Sequence, residues 1–270
     1  MRPLDQLSTE EARGLRGVVF DLDDTLLDHG ALSEPAFASL FRLREVGLRL
    51  IACTGRPAGW GEILQRQWPV DATVTENGAV AWTRDEKTAR VVLVDGAPPE
   101  LRRERRRALL RIADEIVKEL PETGLADDNA ARVTDVTLDI GEHRRVSPVV
   151  VAAMHAAARA RGVRSFHSSV HLHLTFETED KATGTVGLLR RRFDEDPTAA
   201  RARYAFVGDS ANDAAAFGAF ITTFGVSNIA AHLRGISVPP RYVAREPMGR
   251  GFAAIAARLV ALRTLRTLRT

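Results

Sequence analysis

A doubly wound, parallel α/β sheet interrupted by a smaller inserted α/β unit is the fold class this sequence predicts. Three observations carry the prediction. Short apolar runs alternate with helical patterns through short connections, the order that builds a parallel sheet with helices on both faces. Several of these runs stop at a polar cluster, as strands buried on both faces do where they reach the sheet edge. The rhythm breaks near residue 81 and resumes near 181, which splits the main unit into 15–80 and 181–263 and leaves 81–180 as the insert.

Residues 1–14 carry no apolar period and read as a loose arm or short helix. Gly17-Val18-Val19-Phe20 is a buried strand ending in Asp21-Leu22-Asp23-Asp24-Thr25. Residues 33–47 form a helix capped by Ser33 and ended by Gly47, with Phe37, Leu40, Phe41 and Leu43 near one face. Leu48 to Cys53 is a second strand, 58–68 a helix, and Ala72 to Thr75 a third strand leading into Glu76-Asn77-Gly78. In the insert, Val91 to Val94 is strand-like and 98–120 is an Arg-rich helix stopped by Pro121. After a loop over 121–131, Val133 to Ile140 alternates imperfectly, as a strand buried on one face would. Residues 147–161 are a helix with Pro148 in its first turn, and Val163 to Phe166 and Val170 to Phe176 are two strands. Thr185 to Phe193 is helical, and Tyr204 to Val207 is a strand ending in Gly208-Asp209-Ser210-Ala211-Asn212-Asp213. Another helix, a strand over Phe220 to Val226 and a closing helix over Gly251 to Arg263 follow. The Leu-Arg-Thr repeat has a period of three that suits neither helix nor strand, so 264–270 is expected to fray.

Composition narrows the function. With 45% hydrophobic and 27% charged residues, the chain is too apolar to be disordered, and its length allows roughly three quarters of its surface to be buried. Thirty-eight basic against 35 acidic residues give a net charge of +3, not the dense positive field of a nucleic-acid binder. One cysteine, Cys53, excludes an internal disulfide framework and a cysteine zinc cluster. No apolar run approaches the ~20 residues of a membrane span, and Met1 to Leu15 lacks an apolar signal core, so the expectation is a cytoplasmic protein.

The chemistry gathers at strand ends. In an open α/β sheet ligands bind outside the carboxyl ends of the strands. Asp21/Asp23, Thr54, Lys181 and Asp209/Asp213 all fall at that edge. Four carboxylates in one crevice repel, and a hard divalent cation relieves them; oxygen-only ligands suit Mg²⁺. Adding the Lys181 ammonium and the Thr54 hydroxyl makes a site suited to a phosphoryl group. Asp21 and Asp23, two apart at a strand exit, suit attack on phosphorus by the first and proton transfer to the leaving oxygen by the second. Asp209 and Asp213, four apart, can face one spot.

These segments, with Thr54-Gly55-Arg56 and Asp180-Lys181-Ala182-Thr183-Gly184, resemble in order and spacing the four motifs of the haloacid dehalogenase-like superfamily. An insert between the second and third motifs, preceded by Glu76-Asn77-Gly78-Ala79, resembles the subclass holding the Cof-like, sucrose-phosphate, trehalose-phosphate and mannosyl-phosphoglycerate phosphatases. The resemblance implies a Rossmann-like core under a mobile cap. It implies Asp21 as nucleophile forming an aspartyl-phosphate and Asp23 as general acid/base, also lending its carbonyl to Mg²⁺. Thr54 and Lys181 would hold phosphoryl oxygens, and Asp209, supported by Asp213 and Asn212, would bind the metal. Superfamily members that cleave haloacids lack the second aspartate, so the sequence looks like a phosphoryl-transfer member. The expected metal set is thus Asp21, Asp23, Asp209 and Asp213. The expected substrate contacts are Thr54, Gly55, Arg56, Asn77, Arg132, His167, Ser169, His171 and Lys181, with Ser168 and His173 as further cap candidates.

Structural alternatives stand beside these roles. Thr54 also suits a helix cap, and Asp213 a helix N-terminus. His167, His171 and His173 suit substrate contact, a zinc site or ordinary packing. The Arg102–Arg107 run, with Leu101, Ala108, Leu109 and Ile112 beside it, reads as the solvated face of a helix rather than a nucleic-acid surface. Cys53, inside a strand, reads as a packed thiol. The expected activity is hydrolysis of a small phosphorylated metabolite, a sugar phosphate or phosphorylated glycoside first, by a monomer or weak homo-oligomer with no nucleic-acid or membrane partner. A phosphohexomutase using the same aspartate, or a silent binding protein, are the alternatives.

Overall fold

The computed structural model describes residues 1–168 and 170–264. Ser169 and the repeat residues 265–270 lie outside the described residues, so the expectations for them have no counterpart below. In chain order the elements are β1 (Arg2–Pro3), α1 (Thr9–Gly14), β2 (Gly17–Phe20), α2 (Glu34–Glu45), β3 (Arg49–Cys53), α3 (Ala58–Gln67), β4 (Ala72–Thr75), β5 (Val80–Arg84) and β6 (Val91–Asp95). Then come α4 (Pro99–Glu119), β7 (Gly124–Leu125), β8 (Asp135–Asp139), α5 (Pro148–Ala160), β9 (Arg164–His167) and β10 (His171–Thr175). The chain closes with α6 (Lys181–Phe193), α7 (Pro197–Arg203), β11 (Tyr204–Gly208), α8 (Ala214–Ala219), β12 (Thr222–Gly225), β13 (Tyr242–Val243) and α9 (Met248–Thr264).

Nine strands form the main sheet in the order β1-β13-β12-β11-β2-β3-β4-β5-β6, parallel except for β5 and β6. The period of two along β2 divides its side chains between two cores. Val18 and Phe20 face α2 and α9, packing with Leu40, Leu43, Phe252 and Leu259. Val19 faces the other way, with Ile51, Cys53, Val74, Leu188 and Leu189. Each such buried side chain contributes about 1.5–3 kcal/mol. The second sheet, β7-β8-β10-β9, is antiparallel. Helices α4 and α5 cover one of its faces through Leu109, Ile116 and Met154 against Val136, Leu138, Leu172 and Leu174. Its other face carries His171 and His173 and forms one wall of a cleft at the carboxyl edge of the main sheet. Among the described residues no helix is long and apolar enough to cross a membrane.

Several expectations need correction. Residues 81–95 belong to the main sheet: β5 and β6 extend it as an antiparallel edge, and the second sheet's unit begins at α4. Short antiparallel strands carry no crossover helix, so their patterning did not separate them from the insert. Of the two readings of 1–14, the short helix holds, as α1, and the segment is not loose. Leu7 and Ala12 are buried, and Arg258 and Arg263 on α9 donate to the carbonyls of Leu7 and Ala12 at 2.8 Å each. β8 is buried on both faces, because its polar residues Asp135 and Thr137 bond Arg132, His173 and Asp128. Ser33 stands at the start of α2 without a capping bond, and Phe41 is exposed. Nor is the Arg-rich face simply solvated: Arg102 is buried between Asp95 and Glu177, Arg105 also bonds Glu177, and Arg106 donates to the Asp135 and Asn129 carbonyls. Arg102 therefore joins the two segments that lead into and out of the insert.

The turn after β4 is unusual. Glu76 (φ 49°), Asn77 (56°) and Gly78 (109°) are consecutive left-handed residues. A Cβ on Gly78 would overlap the Asp180 carbonyl, so only glycine lets this turn meet the start of α6. Gly78→Ala is expected to destabilise the protein by about 2 kcal/mol or more. A urea-unfolding midpoint unchanged from wild type would contradict that close approach.

Candidate active site

Register brings the strand ends together. Phe20 pairs with Val207 on one side and Ala52 on the other, so β2, β11 and β3 finish at one level. Asp21, Asp209 and Thr54 follow within two residues of those ends. The Asp21 N–H still donates to Val207 O at 2.9 Å, which fixes the backbone while the side chain leaves the sheet.

Lys181, the first residue of α6, is buried and donates from Nζ to Asp21 Oδ1 and Asp213 Oδ1, both at 2.7 Å. The second oxygen of Asp21 has no hydrogen-bond partner among the described residues, and Asp21 lines the cleft. Asp213 does two jobs: Oδ2 accepts the N–H groups of Asp209 (2.9 Å) and Ser210 (3.2 Å), closing the turn, while Oδ1 meets Lys181. Asp209 accepts from Thr25 Oγ1 at 3.0 Å and Asn228 Nδ2 at 2.9 Å. Asn228 escaped the sequence reading, although it lies just past β12, one more strand end at the same edge.

Carboxylate oxygens of Asp21, Asp209 and Asp213 all lie within 4.8 Å of one another, and all three residues are buried. One ammonium against three carboxylates leaves an excess of negative charge. Burial, with Asp213, Asp209 and Asp23 adding to it, pushes the Asp21 carboxyl well above the carboxylate range despite Lys181. Burial and then Asp213 push Asp209 up to about 7. Burial opposes the Lys181 charge, but Asp21 and Asp213 more than offset it and hold that ammonium above its ordinary value. An oxygen-only donor set with surplus negative charge fits a hard divalent cation.

This crowding has a measurable consequence. A carboxyl whose folded-state value is raised favours the fold at low pH and loses that contribution as pH rises through the folded value. For Asp209 the loss centres near pH 7. The stabilisation conferred by a divalent cation is therefore expected to be larger at pH 8 than at pH 6. Thermal unfolding with and without EDTA checks it, and equal shifts at both pH values would speak against a cation among these carboxylates.

The other expected residues divide. Asp23 is not part of the buried carboxylate group. Its side chain accepts a two-pronged bond from Arg56 at 2.7–3.2 Å and stands apart from the three metal-capable carboxylates. Arg56, spent on Asp23 and stacked 4.5 Å from Trp60, offers phosphate no unpaired charge. Thr54 is buried, and its Oγ1 accepts from the Arg56 N–H at 3.0 Å; it caps this turn and not a helix, because α3 begins four residues later behind Pro57. Asn77 is buried in the cleft wall with Nδ2 unpartnered, a donor that an arriving oxygen would satisfy. Cys53 is a packed thiol, pushed up to about 12 by burial.

Arg132 needs the largest correction. It borders the cleft, but its guanidinium is held by Asp128 (2.9 and 2.6 Å) and Asp135 (3.1 Å to each oxygen). Its charge is already matched, so it does not present a free cation to substrate. His171 pairs with Glu142 at 2.8 Å, His173 with Asp135 at 2.7 Å, and His167 with His155 at 2.9 Å. Among the described residues these histidines join no metal-capable group with one another. His173 also stacks on Phe166, with centroids 4.8 Å apart. Phe166 and Glu142 were not anticipated, since only the register of β8, β9 and β10 shows which side faces the cleft.

Residues 18–104 match the family model of haloacid dehalogenase-like hydrolases. That match spans under half of the chain. No match was found among curated proteins. Among solved structures, a protein from Thermoplasma acidophilum is 20% identical, with a TM-score of 0.72 over 92% of this chain and 99% of that one. A haloacid dehalogenase-like hydrolase from Bacteroides thetaiotaomicron is 15% identical, with a TM-score of 0.64 over 91% and 99%. The sucrose-phosphatase of Synechocystis, solved with sucrose and phosphate, is 18% identical, with a TM-score of 0.65 over 92% and 98%. The likeness covers the insert as well as the main sheet, so the chain shares its two-unit fold with those proteins.

Proposed function

We propose that this protein is a Mg²⁺-dependent phosphomonoester hydrolase acting on a small phosphorylated metabolite, a sugar phosphate or phosphorylated glycoside first. The observation that carries this reading is the Asp21 carboxylate. It stands at the end of the central strand with one oxygen on Lys181 and the other unpartnered at the cleft.

Asp21 attacks phosphorus in line, and the bond from phosphorus to the leaving oxygen breaks as Asp23 gives that oxygen a proton. Water then attacks phosphorus in the aspartyl-phosphate while Asp23 takes the proton, and Asp21 is released. Arg56 holds Asp23 in place through both steps, and Lys181 restrains Asp21. Asn77 and the Thr54 hydroxyl supply donors for phosphoryl oxygens. Mg²⁺, held by Asp21 and Asp209 with Asp213 close behind, would neutralise charge on the phosphoryl group. Most of the acceleration comes from fixed positioning and electrostatics.

The cleft, about 600 Å³, suits a small leaving group. On the insert side, which we read as a cap, its wall is polar. His171 with Glu142, His173 with Asp135, and Ser168 face a leaving alcohol, with the Phe166 ring beside them. The likeness to a sucrose-phosphatase supports the same class of substrate.

Phosphate release from a panel of phosphorylated metabolites, with Mg²⁺ or with EDTA, tests the reading. Mg²⁺-dependent release is expected, with the best sugar ester preferred over a generic aryl phosphate. No release from any ester in the presence of Mg²⁺ would overturn it and turn attention to sugar-phosphate isomerisation.

A further inference from the structure

The geometry points to Arg132 as a positioning residue of the phosphoryl-binding loop, one that couples the cap wall of the cleft to the Thr54 hydroxyl. The inference rests on the hydrolase reading of the cleft. Arg132 lies at the entry to β8, in the cap, with a side chain only 1% exposed. Besides Asp128 and Asp135, its Nη1 donates to the Gly55 carbonyl at 3.2 Å. Gly55 lies between Thr54 and Arg56, on the loop from β3 to α3.

A trans peptide unit is planar, so its C=O and the following N–H point in opposite directions. Holding Gly55 O therefore aims the Arg56 N–H, and that N–H donates to Thr54 Oγ1 at 3.0 Å. With that contact made, the Thr54 O–H is left to donate, and it has no acceptor among the described residues. A Cβ on Gly55 would lie 3.1 Å from Asn77 Oδ1, so the loop also packs tightly on the unpartnered amide. The next residues of the cap entry secure the far end of the loop. Buried Glu76 accepts from Ala58 N–H (2.9 Å) and Val133 N–H (2.8 Å) and also bonds Thr134. Thus residues 132–134 hold the loop at both ends.

The chain of contacts also runs outward. Asp135, which binds Arg132, accepts from His173 Nδ1 at 2.7 Å, and His173 lines the cleft stacked on Phe166. A leaving group pressing on His173 thereby acts on Gly55 O through one carboxylate and one guanidinium. No member of this chain touches the phosphoryl group itself except at its end, Thr54.

Arg132→Lys is the informative variant. It keeps a positive charge between Asp128 and Asp135, but a single ammonium cannot reproduce the planar fork that reaches Gly55 O as well. Arg132→Met removes the charge and serves as the harsher comparison. The measurements are kcat and KM on a small aryl phosphate, inhibition by inorganic phosphate, and near-ultraviolet circular dichroism to establish that each variant is folded. For folded Arg132→Lys, kcat on the aryl phosphate is expected to fall roughly tenfold or more, and phosphate inhibition to weaken by a similar factor. An increase in KM confined to the best metabolite, with aryl phosphate turnover and phosphate inhibition unchanged, would make Arg132 a leaving-group contact and overturn the inference. So would a variant that differs only in melting temperature. A wild type inert toward every ester would instead remove the hydrolase reading itself, and that result is visible before any variant is made.

Discussion

Asp21→Asn is expected to abolish phosphate release while leaving the protein folded. The amide has almost the shape of the carboxylate but no nucleophilic oxygen anion, so the loss is about 10⁴-fold or more. Folding is expected to survive because the substitution removes one charge from a crowded group. Burial already disfavours the ionised Asp21, and Lys181 keeps its second partner, Asp213. The melting temperature in EDTA should therefore be unchanged or higher than that of the wild type. A phosphate-release assay beside a thermal scan checks both halves. Turnover within roughly tenfold of wild type would place the nucleophile elsewhere.

Lys181→Met carries the opposite expectation for stability. Lys181 is the only cation bonded to Asp21 and Asp213 among the described residues. Removing it leaves three close carboxylates without a countercharge, and breaking a buried pair of this kind costs about 3–5 kcal/mol. Part of that loss returns at low pH, where the carboxyls raised by burial take up protons, and part returns when a divalent cation binds. The fall in melting temperature is thus expected to be greatest in EDTA at pH 8 and smallest with Mg²⁺ at pH 6. Turnover should drop by about 10²–10³-fold as a fixed charge beside the reacting group disappears. Equal destabilisation in all four conditions would mean that Lys181 supports the fold by packing alone.

The parts of the site that were legible in the sequence are those whose chemistry is local. Asp21, Thr54 and Asp209 each stand where a short apolar run stops, and Lys181 stands where a helix opens, so ten residues of context suffice to place them. Asn228 obeys the same rule and was missed only because its strand is followed by a turn without an acidic signature. Arg132 shows the limit. A lone arginine in a loop looks available for phosphate, and nothing in the residue types says that Asp128 and Asp135, four before and three after, have already claimed it. The cap histidines fail for a related reason: the partners of His171 and His173 are Glu142 and Asp135, roughly thirty and forty residues away. The boundary near residue 81 was misplaced because an antiparallel hairpin on a parallel sheet has the strand lengths of the insert and the pairing of the core.

The position of β2 between β3 and β11 has a consequence for synthesis on the ribosome. The strand that ends in Asp21 is made before the inserted unit, yet one of its two neighbours is made only after it. At typical elongation rates that interval is roughly ten to forty seconds. During it the Asp21 strand presents an unpaired edge, while the second sheet, whose pairings all lie between Gly124 and Thr175, already has every strand it needs. The nascent chain is therefore expected to complete the inserted unit before the main sheet, and the carboxylates are not confronted with one another until Lys181 has been made.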